Sequence, residues 1–256
     1  MKDSKNSLEK ITQACKYLLQ NGFNLNLSNI LDKRISSETQ NKFDFGYYPD
    51  VDNLSLLLNL IDKSDLVENN LIYTKIINDS LYPREVDYSY FQNYEMIMPY
   101  KNQYGEAVGL VTRTLISEEE RKEKNIAKYM NTKDLKKSNY LFGLYENKEI
   151  ITNRGFAYIV EGQFDVIKAY ENNIRNVVAL GSSNMSYKQV ALIKRYCNKI
   201  YLLLDNDDAG EIGRNKIFEK YSKYINIKNS YIPAKYKDLD EYLNHHPKEI
   251  NIKCCL

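Results

Sequence analysis

From residue 157 onward the chain contains four short apolar runs, AYIVE (157–161), NVVAL (176–180), IYLLL (200–204) and NSYI (229–232). Segments of helical length and amphipathic pattern separate them: QFDVIKAYENN, SYKQVALIKRYC and AGEIGRNKIFEKYSKY. Strands that are apolar at nearly every position are buried on both faces, and helices between them supply the crossovers a parallel pair needs. The expected fold class is therefore α/β, a parallel sheet flanked by helices. Ligands of such sheets sit at the carboxyl ends of the strands. Glu161 ends the first run, Asp165 lies one helical turn further on, and Asp205 and Asp207 follow the third run in YLLLDNDDAG. A parallel arrangement brings these four carboxylates to one edge.

Carboxylates placed together raise one another's pKa, whereas a divalent cation holds them ionised. Oxygen-only ligands suit Mg²⁺ or Mn²⁺, and Mg²⁺ completes its shell with water and substrate phosphates. The chemistry this implies is phosphoryl or nucleotidyl transfer. For the DNDD stretch taken alone, capping of the following helix by Asp207 or Asp208 accounts for the acids equally well. Glu161 alone reads as a strand-end acid, and it is the pairing of two strand ends that favours a site. In GSSN (181–184) backbone N–H groups can face a phosphate, or Ser183 or Ser186 can cap a helix.

Upstream of about residue 150 the pattern is α+β: a helix over Leu8 to Gln20, a helical stretch from Val51 to Ile61, and alternation from Tyr94 to Leu115 with a hairpin turn at Asn102 to Gly105. We expect a first domain over 1–151 and a second over 152–256. At 256 residues and 43% hydrophobic content the chain can bury a core of that size, and its net charge of +2 excludes neither acidic nor nucleic-acid partners. Charge is instead clustered: residues 121–137 hold seven basic and two acidic side chains. Cys15, Cys197, Cys254 and Cys255 form no C-x-x-C pair, and only His245 and His246 could assist them, so neither a zinc site nor a disulfide framework is expected. No apolar run approaches membrane-spanning length, and the charged N-terminus has no signal-peptide core. The expectation is a cytoplasmic protein with no membrane partner.

VEGQFDVIKA, VVALGSS and YLLLDNDDAG, in that order and spacing, resemble the TOPRIM domain shared by DnaG-type primases, topoisomerases and some nucleases. The form V-E-G-x-x-D-V is similar to primases in particular. KYMNTKDLKKSNYLFGLYE, MPYKNQYGEAVGLVTRTL, YLLQNGFN with FDFGYYPD, and IPAKYKDLDEYL resemble further stretches of bacterial primases in the same order, from about residue 15 to about residue 245. The resemblance implies a TOPRIM domain preceded by a smaller α+β subdomain of the primase RNA-polymerase core. It implies that Glu161 is the catalytic acid and a metal ligand, that Asp205 and Asp207 bind metal, and that Asp165, Asp238 and Asp240 join the site peripherally. Asp238 with Glu241 also reads as a capping-box variant. Arg113, Lys128, Asn131, Lys137 and Gly181 match positions that face nucleotide or template.

The implied activity is synthesis of short RNA primers on single-stranded DNA from ribonucleoside triphosphates, with two Mg²⁺ or Mn²⁺ ions and no zinc. The implied partners are the template, a replicative helicase, and a zinc-binding domain acting in trans. An arginine usual before the F-P-I strand is replaced by Tyr94 or Glu95, its role missing or taken by Lys101. No zinc ribbon precedes residue 15 and no helicase-binding bundle follows KDLDEYL, so the chain reads as a minimal core or a fragment, of phage or mobile-element type. The rival readings are a TOPRIM nuclease and a non-catalytic single-strand-binding replisome adaptor.

Overall fold

The computed structural model describes residues 2–78, 82–247 and 253–254, with side chains from residue 7 to residue 247. The chain divides into two compact units: one of residues 1–100 and 106–135, the other of 101–105 and 136–256.

The first unit opens with α1 (Lys2–Gln20), α2 (Leu25–Asp32) and α3 (Ser37–Lys42). Their starts follow local chemistry, since Asn24 and Ser36 side chains accept from the third residues of α2 and α3. After β1 (Gly46–Tyr47) comes a 3-10 turn at Val51–Asn53, then α4 (Ser55–Leu58) and α5 (Lys63–Glu68). The helix expected over 51–61 is thus broken into short pieces. Asp50 caps the 3-10 turn, accepting from both the backbone and the side-chain amide of Asn53. Next are β2 (Ile72–Ile77), β3 (Arg84–Ser89), β4 (Met96–Lys101) and β5 (Ala107–Arg113), followed by α6 (Glu118–Glu123) and β6 (Tyr129–Asn131). Strands β1-β4-β5-β6 form one sheet, and β2 and β3 pair antiparallel as a separate two-stranded sheet. That hairpin is not among the elements expected from the sequence. Ile11 and Leu18 of α1, Leu27, Leu31, Tyr48 and Leu110 are among the buried side chains of this unit.

The second unit contains α7 (Leu144–Arg154), β7 (Phe156–Val160), α8 (Gln163–Glu171), β8 (Val177–Ala179), α9 (Tyr187–Ile193), β9 (Lys199–Leu202), α10 (Asp208–Tyr221), β10 (Asn226–Tyr231), α11 (Leu239–His245) and β11 (Lys253–Cys254). The sheet order is β11-β10-β9-β7-β8. The expected runs are parallel strands, with Ile159 level with both Val178 and Leu202, and Ile200 level with Ile227. The edge strand β11 is antiparallel to β10 and was not expected. Ile159, Val178, Ile200, Leu202, Val190 and Ile217 belong to one core cluster. The boundary expected at 151/152 lies inside α7, which groups with the second unit. So does the turn 101–105, through the Lys101–Glu146 ion pair (3.1 Å) and the Lys148 bond to Gln103 O (3.0 Å).

Cys15 and Cys197 are buried free thiols, pushed toward higher pKa by burial. The side chains of Cys254 and Cys255 lie outside the described residues. No helix among the described residues is long and apolar enough to cross a membrane.

Candidate active site

Parallel register delivers the ends of β7 and β9 to the same edge, since Ile159 and Leu202 are paired neighbours. Glu161 and Asp205 stand just beyond those ends, and the Asp205 N–H donates to Glu161 Oε1 at 3.4 Å. Burial, then the charge of Asp207, push the Glu161 pKa up, opposed by the Asp205 N–H. Asp205 is pushed up to about 7, by burial first and then by the charges of Glu161 and Asp238. Without a counter-cation this edge retains a proton near neutral pH.

Asp207 fits the capping reading. It caps α10, with Oδ1 accepting the Gly210 N–H at 2.9 Å, while Oδ2 lies 4.0 Å from the exposed Lys237 ammonium. Asp165 is buried, and burial holds its pKa well above the usual carboxylate range. Both its oxygens accept backbone N–H groups, Oδ2 from Gly162 (3.0 Å) and Oδ1 from Asp240 (2.9 Å), so it joins α8 to α11. Asp238 caps α11 through the Glu241 N–H (2.8 Å), and Asp240 Oδ1 accepts from Asn244 (3.2 Å). The edge is therefore graded: Glu161, Asp205 and Asp207 at the strand ends, with Asp165, Asp238 and Asp240 in the supporting helix junction.

Among the described residues no three His, Cys, Asp or Glu side chains form a ready cage for an ion. The donor set nevertheless fits a hard divalent cation of the Mg²⁺ type. It consists of carboxylates alone, Glu161 and Asp205 among them with raised pKa values, and such an ion needs only one or two carboxylates plus water and phosphate oxygens.

Several residues that shape this edge carry no signal in the sequence reading. Asn206, between the two acids, donates from its backbone to Lys237 O (2.7 Å) and from its side chain to Tyr236 O (2.9 Å) and Ile232 O (3.3 Å). It thereby pins the segment that carries Asp238. Arg214, 2% exposed, donates to Leu204 O (2.9 Å) and Asp205 O (3.3 Å) while its other edge engages Glu211. It fixes the turn that presents Asp205. The available clue is that Arg214 falls seven residues after the cap Asp207 on a helix with Gly210 and Gly213, which allow close approach. A Cβ on Gly210 would run into the carbonyl oxygen of Asp205.

The basic positions are divided between the units. In the second, Gly181 has φ +77° and gives its N–H to Glu161 O at 2.9 Å, so that amide is already engaged. The Lys137 stem lies against it: a Cβ on Gly181 would be 2.9 Å from Lys137 Cδ. The half-buried Lys137 ammonium has no partner among the described carboxylates, and burial lowers its pKa. Gln189 holds this corner, donating to Tyr140 O (2.9 Å), Leu180 O (3.1 Å) and Lys137 O (3.3 Å). Ser186, one of the two expected caps, caps α9.

In the first unit, Arg113 and Lys128 both approach the Tyr129 ring, at 5.6 and 5.5 Å. Asn131 Oδ1 on β6 is buried with no hydrogen-bond partner. Tyr94 and Glu95, at the position of the missing arginine, are structural: Tyr94 OH donates to Ala127 O, and Glu95 accepts the Leu115 N–H. Lys101 is engaged with Glu146.

A parallel sheet with acids at adjoining strand ends and helices packed along it defines the TOPRIM class, and a Toprim-like family matches residues 158–243. The family described as DNA primase catalytic core, N-terminal domain, matches residues 7–148. The chain belongs to the DNA primase catalytic core family. A DNA primase of Aquifex aeolicus is 32% identical over 230 residues, covering 86% of this chain and 42% of its own length. The crystal structure of the zinc-binding and RNA polymerase domains of the Aquifex aeolicus primase superposes with TM-score 0.73 at 29% identity, covering 94% of this chain and 59% of that one. A DnaG primase catalytic domain bound to single-stranded DNA shares the fold, with TM-score 0.72 at 21% identity over 95% of this chain and 77% of that one. The chain thus spans less than half the length of the curated relative it matches.

Proposed function

We propose that the chain catalyses template-directed joining of ribonucleotides into short primers on single-stranded DNA. The observation that carries this reading is the edge where Glu161 and Asp205 meet with raised pKa values and Asp207 beside them. That arrangement is unfavourable for a structural role and suited to a divalent cation. Glu161, Asp205 and Asp207 would hold Mg²⁺ or Mn²⁺, which supplies neutralisation of phosphate charge and activation of the attacking hydroxyl. The chain's own groups do the rest. The proton retained at the Glu161–Asp205 pair leaves when the charge of the site is balanced. Lys137, desolvated and unpaired with any described carboxylate, neutralises a phosphate oxygen. Arg113 and Lys128 offer two cations to nucleotide or template, and Asn131 on β6 is the third contact proposed for this segment. Asp165, Asp238 and Asp240 support the edge through the α8–α11 junction, and Gly181 gives Lys137 its seat.

The deciding assay incubates the chain with single-stranded DNA, labelled ribonucleoside triphosphates and Mg²⁺ or Mn²⁺. Labelled oligomers are expected, and Asp205→Asn or Asp207→Asn should abolish them. Cleavage of the DNA without incorporation would assign the edge to a nuclease. Neither product, with retained DNA binding, would leave the non-catalytic adaptor. A replicative helicase and a zinc-binding domain in trans are the partners this reading calls for, testable by the change in primer yield on adding each.

A further inference from the structure

The β2–β3 hairpin has two chemically different faces. Register pairs Tyr73 with Tyr88, Lys75 with Val86 and Ile77 with Arg84, so these side chains share one face. The alternate pairs Thr74–Asp87 and Ile76–Glu85 occupy the other. Both carboxylates of the paired positions therefore lie on the second face and both cations on the first. The second face is anchored only at the β2 start of the hairpin, where Ile72 is buried and Asp87 takes the Lys63 ammonium of α5 at 2.6 Å, while Thr74, Ile76 and Glu85 further along it are exposed.

On the first face Tyr73 and Tyr88 stack, with centroids 5.3 Å apart and planes 14° apart. Tyr90, two residues further along, meets Tyr73 at 4.8 Å and remains 49% exposed. The exposed Lys75 ammonium lies over both stacked rings, 5.4 Å from Tyr73 and 5.3 Å from Tyr88. A cross-strand tyrosine pair contributes to the pairing of a two-stranded hairpin. That role does not account for a third, half-exposed ring, or for the sorting of charge by face.

We propose that the face carrying Tyr73, Tyr88, Tyr90, Lys75 and Arg84 is a stacking surface for single-stranded nucleic acid. Bases have apolar π-faces and phosphates are anionic, so a row of rings with interspersed cations matches both at the repeat of a strand. Lys75 rests on the rings in the free protein. On binding it turns to a phosphate oxygen while a base takes its place. A duplex hides its π-faces and gains only the charge term. This extends the nucleic-acid reading above but uses no residue of the acidic edge, so either can fail without the other.

The test measures binding of fluorescent oligo(dT) by the full chain in chelator, where catalysis is off. Tyr90→Leu should weaken binding at least fivefold and Tyr90→Phe should restore it, because only the ring face is required. Lys75→Gln with Arg84→Gln, both exposed, should lower the slope of log affinity against log salt by about 1.4, some 0.7 per cation lost. Glu85→Gln on the opposite face should not weaken binding. Oligomers carrying 5-iodouracil should photo-crosslink to Tyr88 or Tyr90. The proposal is overturned by unchanged affinity in Tyr90→Leu, by an unchanged salt slope in the double variant, or by duplex binding as tight as single strand. Oligo(dT) bound through these residues by a chain that makes no primers would keep this surface and remove the primase reading.

Discussion

Asp205 shows how one carboxylate ties stability to function. Unfolded, it titrates near 4. Folded, burial and then the Glu161 and Asp238 charges hold it at about 7. Between those values the folded state binds the extra proton, so the metal-free protein loses stability as pH rises through this window and levels off above it. Glu161 adds in the same direction. Thermal melting in chelator should therefore give a midpoint that falls from about pH 4.5 to pH 7.5, with a shallower fall in Asp205→Asn. At pH 8 the variant should be as stable as the wild type or more so, and millimolar Mg²⁺ should raise only the wild-type midpoint. An Asp205→Asn protein clearly less stable than wild type at pH 8 would show that this carboxylate is structural.

At the scale of elements, the start of α10 sets the geometry of the edge. Asp207 caps it, Gly210 lets it touch the Asp205 carbonyl, and Arg214 one turn later donates to the Leu204 and Asp205 carbonyls. A methyl group at Gly210 must push α10 away from backbone that cannot yield, breaking those bonds together. Gly210→Ala should cost about 3 kcal/mol or more, the upper range for overpacking at a rigid contact. It should also suppress primer synthesis in whatever protein remains folded. Urea unfolding beside the activity assay checks both, and a cost under about 1 kcal/mol would mean that α10 can shift without disturbing the acids.

For the whole molecule, the net charge of +2 means that the nucleic-acid binding proposed above would fall to local groups. The basic run 121–137 straddles the two units, so Lys128 belongs to one and Lys137 to the other. Lys128→Ala together with Lys137→Ala should weaken nucleotide or single-strand binding and flatten its salt dependence by about 0.7 per lysine. Binding measured over a salt series decides this. An unchanged slope would reduce both lysines to solvated surface.

What the sequence determined by itself is local in origin. Continuous apolar runs of strand length, helical periodicity between them and acids at the run ends dictated a parallel sheet with Glu161 and Asp205 at one edge, and the register of β7 with β9 placed them together. The hairpin turn at 102–105 was legible in the same way. The caps were legible too: Asp207, Ser186 and Asp238 announced helix starts, and Asp207 was expected at the same edge as Glu161, whose pKa its charge raises. Tertiary structure decided the rest, because the deciding contacts join residues far apart in the chain. Asp165 meets Asp240 across 75 positions and Asn206 meets Tyr236 across 30, so Asp165 became a joint and the asparagine between two acids a staple. The β2–β3 hairpin escaped notice for a related reason. Its side chains alternate between a tyrosine-and-cation face and an acid-bearing one, and only pairing sorts them. Burial of Arg214 and Lys137, and the electrostatics that follow from it, likewise depends on neighbours that no window of the sequence contains.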